Sequence, residues 1–325
     1  MAEVLDDRQP AAHAEKEAIR ASETRRKGRG PVLVAPGQPV VLGAMGWLRD
    51  TPDLRDYTPD TQEVRVAHKA MGLYAPAAPA PASVDLRLWC TAIENQEALG
   101  SCTAHAGVGL YEYFIKRTSG AELDLSRSFL YKATRNLLQW TGDSGAFLRS
   151  TMGAMALFGT PPEEYWAYDV ARFDAEPTAF CYAFAADFQA LVYYRLDPGS
   201  VARDMLLVRI KSYLAAGLPS MFGFTVYNSI SQAATTGKIP FPAAGDRVEG
   251  GHAVLAVGYD DAMKIKSTNP AAAETTGALL IRNSWGTGWG AAGYGWLPYE
   301  YVLRSLAVDW WSMLKGEWIP VGGFK

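Results

Sequence analysis

The chain has 325 residues, of which 49% are hydrophobic and 12% aromatic, and a formal net charge of -3. That is enough apolar material for one large domain or two packed ones, and too much for a disordered chain. The small net charge supplies no basic field for nucleic acid, and three cysteines, an odd number, exclude a disulfide scaffold of the secreted type.

In chain order, residues 1–30 carry scattered charges and few large apolar side chains. They read as a mobile segment and not as a secretory signal, which needs an apolar run of roughly 7–15 residues. Residues 31–60 mix Pro, Gly and short apolar runs, so they are expected to lie extended on the body of the protein, anchored by Trp47, Leu48 and Tyr57. Pro76, Pro79 and Pro81 make residues 75–83 a polyproline-like spacer. The division is therefore an N-terminal extension, 1–83, and a main body, 84–325. His13 and His68 fall in the extension and are expected to be solvated. No stretch of about 18 uncharged apolar residues follows, so no membrane partner and no spanning helix are expected. The expected location is the cytoplasm, or outside it by an export route not readable in the sequence.

After Val84 the spacing changes twice. Between Ser101 and Ala216, helical spacing runs through GVGLYEYFIKRTSG, SRSFLYKATRNLLQW, FLRSTMGAMALFG and VARDMLLVRIKSYLAAG. From Leu218 onward come strand-like runs bounded by Gly and Pro: PSMFGFTVY, GHAVLAVGYD, GALLIRNSW, GYGWLPY and LAVDWWSML. One strand-like run, FQALVYYRLD (188–197), interrupts the helical half. Helices followed by strands predict an α+β protein in two lobes, and lobe junctions favour clefts.

Cys102, in NQEALGSCTAHA, has three readings: a packed thiol, half of a disulfide, or a nucleophile. Gly100-Ser101 reads as a turn opening a helix, which places Cys102 in a first turn where the peptide dipoles favour a thiolate. A nucleophile needs a base. His105 lies on the same helical face and reads as packing or hydrogen bonding. His252, in EGGHAVLAVGYD, sits on a strand behind Gly250-Gly251, which let backbone and substrate come close. Asn283, in IRNSWGTGWGAAGYGW, offers an amide oxygen to the His252 Nδ1–H, and Trp285 can shield that bond from water.

Taken together, Gln96 with Gly100-Ser101-Cys102, Gly251-His252-Ala253-Val254, and Asn283-Ser284-Trp285-Gly286-Thr287-Gly288-Trp289-Gly290 resemble the signature blocks of papain-family cysteine peptidases, in the family's order. The resemblance covers residues 84 to 315. It implies a two-lobe papain-like fold, a helical lobe plus an antiparallel β-barrel lobe with the cleft between them. It further implies Cys102 as nucleophile, His252 as its acid and base, Asn283 as the group orienting His252, and Gln96 in the oxyanion hole. Asp143-Ser144-Gly145 resembles the segment that pairs with substrate backbone, Trp285 would cover the His252–Asn283 bond, and Trp289 would line the cleft. The substrates implied are proteins or peptides, with no nucleic acid partner, no cofactor and no metal.

The chain also departs from the family. Leu99 stands where a bridged cysteine is usual and Thr103 where Trp is usual, which leaves Cys90 and Cys181 as expected free thiols, with one bridge between them as the other option. The interval from Cys102 to Asn283 exceeds the family's roughly 130–150 residues, so long loops are expected at 229–250 and 261–277. Residues 31–60 suggest a restraint acting in cis on the cleft. The alternatives are a catalytically silent papain-like binding module, or a transpeptidase using the same intermediate.

Overall fold

The computed structural model describes residues 32–34, 38–40, 44–70, 80–189 and 192–314. The expectations for residues 1–30, for His13 and for most of the Pro/Ala spacer fall outside the described residues. The chain forms two units, Met1–Leu42 and Gly43–Lys325. In the first, β1 (Val32–Val34) and β2 (Gln38–Val40) pair antiparallel, with Val32 opposite Val40.

The second unit begins with an extended stretch that contains β3 (Trp47–Leu48). Trp47 is buried, whereas Tyr57 is 43% exposed and is tied down by its carbonyl, which accepts the Arg195 N–H at 2.7 Å. Helix α1 (Gln62–Ala70) follows, and its His68 is buried, not solvated as expected. The ring packs edge-on against Tyr194 and Tyr213, so the amphipathic face of α1 carries it inward. Strand β4 (Ser83–Asp85) then leads into the helices.

Helix α2 (Cys102–Ser119) is buried from Cys102 through Phe114, as befits a run of small and apolar residues on every face. It stops at Gly120, whose φ of 74° returns its N–H to the Lys116 carbonyl, while Lys116 and Arg117 complement the dipole of the last turn. Helix α3 (Arg127–Leu137) starts where the Ser126 hydroxyl accepts the Phe129 N–H. Strand β5 (Ala146–Phe147), α4 (Leu148–Leu157), the short α5 (Ala179–Ala185), β6 (Val192–Arg195) and α6 (Arg203–Ala215) complete this half.

The second half supplies β7 (Ser220–Tyr227), β8 (Val248–Ile265), β9 (Thr275–Arg282), β10 (Tyr294–Pro298) and β11 (Ala307–Leu314). They form one antiparallel sheet of order β10-β9-β8-β7-β11-β6, with β4 beside β8. The expected antiparallel β half is therefore present, and among the described residues its strands form an open sheet without closing into a barrel. Strand β6, drawn from the helical half, extends the edge beyond β11 instead of closing the sheet onto β10. Strand β8 also runs into the expected loop at 261–277. Met263 is half-buried and Ile265 buried while Ala262 and Lys264 are exposed, so a two-residue period persists within a stretch whose composition looks loop-like.

Helices and sheet are joined by buried charge. Glu112 of α2 accepts from Arg127 at 2.9 and 3.0 Å, from the Thr91 hydroxyl at 2.5 Å and from the Leu125 N–H at 2.9 Å. Arg282 of β9 donates to the same Thr91 hydroxyl at 3.0 Å. Removing one member of a buried, hydrogen-bonded pair costs about 3–5 kcal/mol because the other charge is left uncompensated. Glu112→Ala is expected to lower unfolding free energy by about 3 kcal/mol in a urea titration, whereas the same substitution at the exposed Glu122 should change it by less than about 1 kcal/mol.

Candidate active site

Cys102 is the first residue of α2, and its side chain is completely buried. The Ala253 N–H of β8 points at its sulfur from 3.4 Å, and the amides of Gly46, Trp47 and Thr103 are directed at it as well. The helix N-terminus favours a thiolate, yet burial outweighs it and pushes the thiol up to about 11. The reason is local: residues 46 and 47 lie over the sulfur and remove the water a thiolate would need.

His252 is also completely buried, between the face of Trp285 (centroids 4.5 Å, interplanar 26°) and the edge of Phe224 at 5.9 Å. Its Nε2–H donates to Asn283 Oδ1 at 2.8 Å. The nitrogen facing Asn283 is thus Nε2 and not the Nδ1 expected from the sequence. Stacking on Trp285 sets the ring plane, and Asn283, the residue directly after β9, lies on the Nε2 side of the ring. Nδ1 is buried and has no hydrogen-bond partner. Burial lowers His252 to about 4, with the Asn283 bond opposing it, so the imidazole is neutral near pH 7. Asn283 is itself fixed, because its Oδ1 also accepts the Ser284 N–H at 2.8 Å.

Gln96 is buried, and its orientation follows from three contacts. Oε1 accepts the Ser284 hydroxyl at 2.6 Å, while Nε2 donates to the Leu99 carbonyl at 2.9 Å and to the Ala44 carbonyl at 2.6 Å. The Ala44 carbonyl belongs to the extended N-terminal stretch, which continues past the thiol. Ala44 donates to the Glu97 carbonyl at 3.2 Å, and the Gly46 carbonyl accepts the Ala146 N–H at 2.8 Å. Strand β3 runs parallel to β5, with Trp47 opposite Ala146. Backbones touch here: a Cβ on Gly46 would lie 1.8 Å from the Gly100 carbonyl oxygen, and one on Gly145 would lie 2.2 Å from the Gly46 oxygen.

Of the other residues singled out in the sequence, Ser144 donates to the Gly145 carbonyl at 3.0 Å and Gly251 lies against Trp47. Trp289 meets Trp285 edge-on at 5.4 Å. His105 stays on α2, where its Nδ1 lies 3.1 Å from the Ser101 carbonyl, and burial lowers it to about 3. Cys90 and Cys181 are free and buried, so the alternative of a bridge between them does not hold. Two carboxylates hold this region together: Asp143, which the sequence places in the same segment as Ser144 and Gly145, and Asp309, which the sequence reading missed. Asp143 accepts the Gly100 N–H at 3.0 Å and the Tyr131 hydroxyl at 2.6 Å, tying the turn before Cys102 to the loop before Gly145. Asp309 accepts the Trp47 indole N–H at 3.0 Å. A lone charge in the otherwise apolar run LAVDWWSML was the readable signal for the second.

The papain family cysteine protease pattern matches residues 80–302. An uncharacterized peptidase C1-like protein of Acanthamoeba polyphaga mimivirus is 34% identical over 223 residues, which is 67% of this chain and 68% of that protein. Cathepsin K of Gallus gallus is 28% identical over 230 residues, covering 68% of this chain and 60% of its own length. Among solved structures, xylellain, a cysteine protease from Xylella fastidiosa, superposes with a TM-score of 0.67 at 31% identity, over 83% of this chain and 96% of that one.

The burial of Cys102 has a direct chemical consequence. A thiol near 11 holds far less thiolate at pH 7.5 than an ordinary cysteine near 8.5. Iodoacetamide is therefore expected to alkylate Cys102 in the folded chain at least about 100-fold more slowly than it alkylates free cysteine, as read by peptide mass mapping. Alkylation at the rate of free cysteine would show that the sulfur is not covered in solution.

Proposed function

The chain belongs to the papain family of cysteine proteases, and from that premise we propose that it hydrolyses peptide bonds through a thioester on Cys102. The Cys102 sulfur attacks the substrate carbonyl carbon as His252 Nδ1 takes the thiol proton. His252 then delivers that proton to the departing amine. Water adds to the thioester carbonyl with His252 as base, which releases the acid and restores the thiol. Asn283 holds the imidazole through Nε2 and so keeps Nδ1 as the nitrogen that moves the proton. Gln96 Nε2, with the Cys102 N–H, stabilises the oxyanion.

The observation that carries this reading is the divided imidazole. One nitrogen is bound to Asn283 at 2.8 Å, the other is buried and unpartnered, and the next residue's N–H reaches the Cys102 sulfur. A histidine kept only for packing would have no reason to leave one nitrogen unbonded in a dry interior. The four residues needed for acyl transfer are all present.

The same reading makes residues 44–48 a restraint in cis. They take the Gln96 donor, bind the Ala146 N–H and lie over the sulfur. An incoming peptide would have to replace them against Ser144, Gly145 and Gly251, under Trp285 and Trp289. Because the sulfur faces N–H donors of this stretch, and not a carbonyl carbon, the stretch covers the site without offering it a bond to cleave.

Three outcomes test this. A thiol-directed epoxide peptide analogue should label Cys102 and fail to label Cys102→Ala. Gln96→Ala should lower kcat/KM on a fluorogenic peptide by about 100- to 1000-fold. Gly46→Val, whose side chain meets the Gly100 backbone, should expel the stretch and raise the rate of the full chain at least about tenfold. An unlabelled Cys102 together with no cleavage by Gly46→Val would sink the enzyme reading.

A further inference from the structure

Trp47 lies in a slot that the fold has built for it. Gly223 of β7 and Gly251 of β8 are diagonal neighbours on one face of the sheet, since Gly223 pairs with Ala253 and Thr225 with Gly251. A Cβ on Gly223 would lie 1.9 to 2.4 Å from three atoms of the indole ring, and one on Gly251 would lie 2.7 Å from a fourth. Neither glycine has a positive φ, so the backbone does not require glycine there. What the missing side chains provide is flat space.

The end of the slot is an acceptor. Asp309 is completely buried and has a φ of 64°, within the irregularity of β11 between Val308 and Trp311. Such a bulge re-aims a side chain, and a non-glycine residue held at positive φ marks a position fixed by its surroundings. One oxygen, Oδ1, accepts the Trp311 indole N–H at 2.7 Å and lies 3.3 Å from Arg195 Nη1. The other, Oδ2, accepts the Trp47 indole N–H at 3.0 Å. When Trp47 leaves, Oδ2 is left as a buried acceptor facing an empty flat slot, next to the reactive sulfur.

We propose that this slot is the pocket that selects substrate side chains, and that Asp309 makes it prefer a planar side chain with an N–H donor, tryptophan foremost. The proposal rests on the peptidase reading of Cys102. A hydrocarbon ring of the same shape fills the slot but strands Oδ2 without a donor, and a buried acceptor left unpaired carries its full desolvation cost. A site built to hydrogen-bond its ligand therefore rejects an analogue lacking the donor more strongly than it rejects a change of size. Trp47 occupies the slot as the chain's own copy of the side chain the site is shaped to receive.

The full-length chain carrying Trp47→Gly and Cys102→Ala, with the slot vacated and chemistry switched off, is titrated calorimetrically with 3-methylindole and with 3-methylbenzothiophene, the same shape without the N–H. The indole is expected to bind at least about tenfold more tightly, and adding Gly223→Val, which fills the slot without touching the buried charges, should abolish its binding. With Cys102 retained, the Trp47→Gly chain should cleave a tryptophan-bearing peptide at least about tenfold faster than its phenylalanine counterpart. Equal binding of the two ring systems, or unchanged binding in Gly223→Val, would overturn the pocket. Absence of all cleavage despite preserved indole preference would instead overturn the peptidase reading and leave the pocket standing.

Discussion

The position of α2 against the sheet is the constraint on which the rest of the molecule depends. That contact is held by a shared set of buried charges: Glu112 on the helix, Arg127 on α3 and Arg282 on β9. Gly109 makes room for it, since a Cβ there would lie 2.7 Å from an Arg282 guanidinium nitrogen. A buried ion group adds little net stability by itself but penalises any arrangement that separates its members. The helix is thereby fixed in register, and the N-terminal sulfur of Cys102 faces the strand that carries His252.

Within the cleft the balance is between a helix dipole that favours a thiolate and desolvation that forbids one. Desolvation wins while residues 44–48 are in place, because the dipole contributes about half a unit charge at a helix terminus whereas a charge buried without water costs several kcal/mol. The covering stretch is held less by side chains than by backbone approach. Gly46, Gly100 and Gly145 let three main chains come together, and Asp143 ties two of the turns that carry them. Trp47 is the exception, a large side chain with its own slot and its own acceptor.

The departures from the family pattern have modest structural consequences. Leu99 is buried, filling space where a bridged cysteine is usual, and its carbonyl helps to orient Gln96. Thr103 is buried as well, so the first turn of α2 remains covered without a tryptophan at that position. Cys90 and Cys181 each lie apart as free thiols, and the helical half relies on packing and hydrogen bonds instead of a cross-link.

The helices from Ser101 to Ala216 and the strands after Leu218 were legible because their periodicities are local. Cys102, His252 and Asn283 could be singled out as candidates because few residue types can do this chemistry and each stood among characteristic small or aromatic neighbours, whereas Gln96 came only from the resemblance to the papain family. His68 reads as solvated in the sequence because its burial depends on Tyr194 and Tyr213, far along the chain. The Trp47–Asp309 bond joins residues 262 positions apart, and no pattern around either one announces the other. The open sheet, with β6 added at its edge, was equally invisible. Read as a string, the chain specifies which groups can react and which segments can be helix or strand, because those properties travel with a residue and its near neighbours. Only the folded chain decides which imidazole nitrogen faces Asn283, that the thiol is covered and neutral, and what fills the slot between Gly223 and Gly251. Those are properties of distance and solvent exclusion between residues that sequence order keeps far apart.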